Sequence, residues 1–158
     1  MEFIYRLFNS LYGENLHDYL AGYDCASKDY IYQSMFTPIG IIALIIAVVF
    51  FVMYYYIINS SKWNKWWHWI IIVLIVGVIN FIVGYIWTSD ELPEILKQEC
   101  LSYYVDENNG SIDKSILMIN EINFWMFGLA NFFVSSIFFI ILSFLGKWGS
   151  SACRRTPF

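Results

Sequence analysis

The sequence predicts an all-α integral membrane protein with three transmembrane helices, an N-terminal amphipathic helix and a partly helical extracytoplasmic loop. Three observations carry that class. Three long stretches are apolar and free of Asp, Glu, Lys and Arg, each near the ~20 residues that a helix needs to cross bilayer hydrocarbon. The 158-residue chain is 59% hydrophobic, 21% aromatic and only 14% charged, against about 25% charged in ordinary globular domains. A soluble domain this small leaves roughly a third of its unfolded surface exposed, too much for such a composition. Finally, all 13 acids fall in two alternate segments, 1–38 and 88–121, where they outnumber Arg6, Lys28, Lys97 and Lys114, while the other two segments carry only bases.

Residues 1–38 form the first extracytoplasmic segment. The start "MEFIYRLFNSLYGENLHDYL" has an acid at position 2 and no basic stretch followed by a long apolar core, so it does not read as a cleavable signal peptide. Phe3, Ile4, Leu7, Phe8, Leu11, Tyr12, Leu16, Tyr19 and Leu20 recur at helical spacing, with polar residues between them. This predicts an amphipathic helix, with Gly13 as its weak point. Its polar face lacks the Lys and Arg of surface-seeking helices, which favours docking on the chain's own loop or on a neighbour over lying on the membrane.

The first span is 39–58, "IGIIALIIAVVFFVMYYYII", and the second is 66–87, "WWHWIIIVLIVGVINFIVGYIW". Between them the connector 59–65 carries Lys62 and Lys65 and no acid. The loop 88–121 carries Lys97 and Lys114 against Asp90, Glu91, Glu94, Glu99, Asp106, Glu107, Asp113 and Glu121. Within it, a Ser or Asp cap followed by Pro93 predicts a short helix with Leu92, Ile95 and Leu96 on one side. "DENNGS" predicts a turn, and from about Ser111 the pattern predicts a helix running into the third span. That span is 122–146, and the tail 147–158 carries Lys147, Arg154 and Arg155 without an acid.

Basic residues beside spans mark the cytoplasmic side. The two basic, acid-free segments therefore fall inside, and the two acidic segments outside, giving N-terminus out and C-terminus in, as in a bacterial inner membrane. Tyr54, Tyr55, Tyr56, Trp63, Trp66, Trp67, Trp69 and Trp148 then form an aromatic belt at headgroup depth, where Lys62 and Lys65 meet anionic lipid. A net charge of −4 argues against nucleic acid as a partner.

No phosphate loop, nucleophile elbow or zinc-protease motif occurs, and His17 and His68 fall on opposite sides of the membrane. No catalytic residue, cofactor or metal site is expected. The spans hold no ionisable Asp, Glu, Lys or Arg, which argues against ion-coupled transport. They do hold small and amide residues at helical spacing: Gly40, Ala43 and Ala47; Gly77, Asn80 and Gly84; Gly128, Asn131 and Ser135, with Asn120 ahead of them. Such residues let helices approach closely and hydrogen-bond across the contact. Asn80 and Asn131 fall at one depth and are expected to pair with each other, or with copies in an oligomer lining a pore. Cys25 and Cys100 share the outer side, where they are either disulfide-bonded or free thiols; Cys153 lies inside.

The expected function is a non-catalytic multi-pass subunit that anchors or helps assemble a larger envelope complex through its extracytoplasmic face. Its partners are the lipid bilayer, copies of itself and other membrane or envelope proteins. Two alternatives remain: a self-assembling pore, as an anti-phage effector or holin-like protein, and an accessory subunit of a respiratory complex. The three-span, N-out and C-in layout resembles that of three-span holins, in layout and without a shared motif.

Overall fold

The computed structural model describes residues 1–58, 66–105 and 112–146. Three short helices open the chain: α1 (Glu2–Arg6), α2 (Asn9–Tyr12) and α3 (Glu14–Ala21). Gly13, at φ +91°, separates α2 from α3, and Gly22, at φ +94°, ends α3 in a left-handed turn. Both positions need the freedom of a residue without Cβ. The expected single helix is thus three pieces, with a further break after Arg6. A small antiparallel ribbon, β1 (Tyr23–Asp24) and β2 (Asp29–Tyr30), then leads to α4 (Phe36–Val52), which admits Pro38 in its first turn.

Helix α4 runs on into a π-helical turn over Met53–Ile58, and the most apolar 18 residues of Phe36–Ile57 have a mean hydropathy of 2.8. The second long helix, α5 (Trp66–Asp90), has 25 residues and the third, α8 (Glu121–Gly146), has 26; their most apolar 18-residue stretches have mean hydropathies of 2.7 and 2.1. At 1.5 Å per residue the latter two are about 37–39 Å long, more than the ~30 Å of bilayer hydrocarbon. All three are long and apolar enough to cross a membrane, and they pack side by side, with α5 and α8 antiparallel and in the most extensive contact.

Between α5 and α8 lie two short helices, α6 (Leu92–Ile95) and α7 (Glu99–Ser102), and an antiparallel hairpin of β3 (Tyr103–Val105) and β4 (Ile112–Leu117). The helix expected from Ser111 onward is therefore a strand, and α8 starts only at Glu121. Two local causes are visible. The Asp113 carboxylate accepts hydrogen bonds from the Ser115 backbone N–H and hydroxyl, satisfying a backbone donor outside a helix. Asn120 caps α8 by its Oδ1 accepting from the Ile122 N–H, while the Asn123 side-chain Oδ1 accepts from the Asn120 N–H, a reciprocal capping box. The expected helix at Leu92 is likewise shorter: α5 runs through Ser89 and Asp90, so neither is its cap, and Leu96 is exposed while Ile95 is buried.

The larger core gathers where the N-terminal helices, α6 and α7 cap one end of the bundle, around Tyr5, Tyr12, Leu16, Phe36, Ile95, Phe124 and Phe127. A second core at the opposite end joins Phe51, Tyr54, Tyr55, Ile72, Val76 and Phe139.

Candidate functional site: a polar seam between the N-terminal segment and two long helices

The best-satisfied polar group inside the bundle is Asn131. Its Oδ1 accepts a 2.6 Å hydrogen bond from the Tyr5 hydroxyl, and its Nδ2 donates at 2.7 Å to the backbone carbonyl of Asn80. All three residues are fully buried. The Asn80 side chain takes no part in this pair; its Nδ2 donates to the Val76 carbonyl one turn back, and among the described residues its Oδ1 has no partner. The expected amide–amide pair is therefore an amide–backbone bond, with the missing partner supplied by a tyrosine from the N-terminal segment.

Close approach of α5 and α8 makes the seam possible. A Cβ on Gly84 would sit 3.0 Å from the Asn131 Cβ, and one on Gly128 would sit 2.9 Å from the Phe81 carbonyl oxygen. A Cβ on Gly77 would enter the Phe132 ring. These three glycines thus lie at the expected helix contact. Ser135, also buried, donates back to the Phe132 carbonyl rather than across the bundle. Ala43 and Ala47 are fully buried on α4, whereas Gly40 faces the side chain of Met1 instead of another long helix. Asn120 lies ahead of α8 as its cap, apart from the cluster in which sequence spacing had put it.

The N-terminal segment is held along α8 at several levels. Asn123 Nδ2 donates at 2.8 Å to the Tyr12 carbonyl; Tyr12 meets Phe127 edge-on with ring centroids 5.2 Å apart; Tyr5 stacks on Phe127 at 5.7 Å and on Phe36 at 5.2 Å. Phe8 stacks on Phe133 at 6.0 Å. Residues 1–12 consequently run beside α8 from the level of Asn131 up to its start, and Asn131 lies ten residues, about 15 Å, along the helix from Glu121. The buried stripe is Tyr5, Tyr12 and Tyr19, seven residues apart, while Phe3, Leu7 and Leu11 point away from the protein.

Above the seam, Tyr12 donates to the Tyr5 carbonyl at 3.1 Å and its hydroxyl lies 3.0 Å from His17 Nδ1. His17 packs on Phe36 at 5.0 Å. Burial lowers the His17 pKa from its ordinary value, more than nearby Asp18 and Glu2 raise it. Burial also lifts the Tyr5 and Tyr12 hydroxyls above the usual tyrosine range, so both stay protonated donors. Cys25 and Cys100 are joined by a disulfide with a Cα–Cα distance of 6.0 Å, tying the segment after α3 to α7.

The residues of the expected aromatic belt divide. Tyr56, Trp66 and Trp67 are exposed, but Tyr54 and Tyr55 are fully buried and meet edge-on at 4.9 Å. The π turn, in which successive residues advance less around the axis than in an α-helix, directs both neighbours inward. Trp69 is half-buried and donates to the Ser143 hydroxyl at 3.3 Å. Trp63, Trp148, the connector lysines, the turn at 106–111 and Cys153 lie outside the described residues.

Tyr5 and His17 do not stand out as functional residues in the sequence. The signal present there is the strict heptad of tyrosines at 5, 12 and 19 in a segment otherwise rich in aliphatic residues. The fold and seam define a class: a small, mostly helical protein with three helices of membrane-crossing length and an N-terminal segment docked along them. No protein-family model, curated protein or solved structure matches this chain.

Proposed function

We propose that the protein is a non-catalytic multi-pass membrane subunit that helps assemble a larger envelope complex through its extracytoplasmic face. The N-terminus and the 88–121 loop lie outside and the C-terminus inside. The observation that carries this reading is the contrast between the bundle and its capped end. Inside the bundle, Asn131 has both ends of its amide engaged within one chain. At the capped end, Tyr104, Ile112, Ile116, Leu117 and Met118 on and beside the β3–β4 hairpin are all 39–47% exposed. A hairpin with unpaired edges and an apolar surface is a ready platform for another chain. The Cys25–Cys100 bond supports placing this face in an oxidising compartment.

A pore lined by Asn80 and Asn131 would need both on a water-filled surface, and both are fully buried; for that reason the pore is not adopted. The respiratory-subunit reading differs only in its partner. Mild-detergent purification followed by mass determination of what co-purifies tests the proposal. A partner retained by the unaltered chain and lost on Ile116→Asp, with the variant still in the membrane fraction, is the expected result. A chain that co-purifies with nothing and gives Asn131-dependent single-channel currents would overturn it. The orientation is tested by labelling Cys153 in intact cells: a membrane-impermeant thiol reagent should not reach it.

A further inference from the structure

Two cavities meet at Glu91. One, of about 450 Å³, lies at the capped end, with Tyr19, Asp24 and Tyr32 on one side and Glu94, Lys97 and Gln98 on the other. The second, of about 310 Å³, descends α5 from Asp90 over Trp87 and Ile86 to Val83, and Glu91 lines both. Val83, Ile86, Trp87 and Asp90 fall at i, i+3, i+4 and i+7, so the lower cavity is a groove on one helix face. A mixed polar and apolar cavity above and a mainly apolar groove below, with one shared residue, is the outline of an amphiphile.

The charges narrow its chemistry. Asp24, Glu91 and Glu94 put three carboxylates around the upper cavity, with Lys97 as its cation. Tyr19 donates to one Glu91 oxygen at 3.1 Å, which orients that carboxylate, and Lys97 is paired with Glu94 at 2.6 Å on the exposed rim. The Gln98 Oε1 is buried in the wall and has no hydrogen-bond partner among the described residues. With no surface open to the cavity that oxygen is out of a ligand's reach, so the acceptors the cavity presents are its carboxylates. The site therefore offers acceptors for an ammonium, one cation for a phosphate, and an apolar track beneath.

We infer that this paired cavity binds an aminophospholipid of the phosphatidylethanolamine type. Its ammonium sits between Glu91 and Asp24, its phosphate is turned toward Lys97, and one acyl chain lies along Val83, Ile86 and Trp87. A trimethylated headgroup would keep the charge but lose the N–H donors, and an anionic headgroup would meet the carboxylates unfavourably. The site would hold one lipid against the protein at the level where the membrane-crossing length of α5 ends.

This inference rests on the membrane placement. The test is native mass spectrometry of the full chain, delipidated in mild detergent and offered phosphatidylethanolamine or phosphatidylglycerol with identical acyl chains. Expected is one phosphatidylethanolamine per chain, held at least tenfold more tightly than phosphatidylglycerol. Glu91→Gln should weaken it about tenfold, and Val83→Trp should abolish binding by filling the groove without touching a charge. Should Glu91→Gln lose the native tryptophan fluorescence, Asp24→Asn serves in its place with the same expected direction. Free ethanolamine should not compete. Equal retention of both lipids, indifference to the carboxylate variants, or competition by ethanolamine as strong as by the lipid would overturn the site. Retention of neither lipid by a chain that still fractionates with membranes would overturn the site alone, and a chain absent from the membrane fraction would overturn the membrane placement beneath it.

Discussion

Changing Tyr5 to Phe removes one hydroxyl and leaves the ring where it is, between Phe36 and Phe127. Because the stacking contacts survive, any loss of stability reads the bond to Asn131 alone. An acceptor left unpaired in a buried site costs about 1–3 kcal/mol in proteins, while hydrogen bonds between helices in membranes average about 0.6 and reach about 1.7 kcal/mol. Asn131 keeps its bond to the Asn80 carbonyl, so the expected cost is about 1–2 kcal/mol, a shift of roughly 5–30-fold in the folding equilibrium. Asn131→Ala should cost more, about 2–4 kcal/mol, since it loses two hydrogen bonds and side-chain volume beside Gly84. In the Asn131→Ala background, Tyr5→Phe should be neutral or stabilising, because it removes a buried hydroxyl that has already lost its acceptor. Reversible unfolding in mixed micelles, followed by tryptophan fluorescence, gives all four corners of the cycle. Costs that add to within about 0.3–0.5 kcal/mol, the behaviour of independent sites, would refute the bond.

Gly77→Ala should separate α5 from α8 and cost about 1–3 kcal/mol, seen as a lowered unfolding midpoint with Phe132 displaced. Cys100→Ser should cost about 2–4 kcal/mol by opening a closed loop of 75 residues in sequence separation, and should make the N-terminal segment sensitive to protease before the long helices are. For His17, whose folded pKa is lowered chiefly by burial, the unfolded chain takes up a proton near pH 6.5 and the folded chain only at lower pH. Stability is then complete above that pH and falls as the solution is acidified through and below it. His17→Gln should flatten that decline in a pH series of unfolding midpoints, and an unchanged acid limb would exclude the histidine as its source.

The three long helices were legible because an uncharged apolar run of that length is rare in a chain that folds in water. Which side of each faces protein was harder to read. When the surroundings are as apolar as the core, hydrophobicity carries no information about direction. Phe3 and Leu7 look like core residues in a helical wheel, yet they are 77% and 68% exposed, while the tyrosines Tyr5 and Tyr12 are fully buried. Residues with a polar atom are the better guide there, because a hydroxyl or amide needs a partner. Asn131 was recognised on that ground, and its partner Tyr5 could have been. Tyr54 and Tyr55 failed the other way: an interfacial reading suits three consecutive tyrosines, and only the π turn, which no sequence period announces, brings two of them inside. The β3–β4 hairpin was hidden because Ile112–Leu117 suits a helix about as well as a strand until the bonds around Asp113 and Asn120 are seen.

The bond between Tyr5 and Asn131 joins residues 126 positions apart, and this bears on the order in which the protein can be completed. At a synthesis rate of about 5–20 residues per second, the first partner exists for on the order of ten seconds before the second is made. Throughout that interval the tyrosine side of α1 and α2 has no α8 to lie against, and neither Phe127 nor Asn123 has yet been added. Cys100, by contrast, emerges before any of α8, so the disulfide can hold the segment beyond α3 near its destination while the last helix is still to come. The earliest residues of the chain are then the last to settle, and the cross-link acts as a tether that spares them a free search.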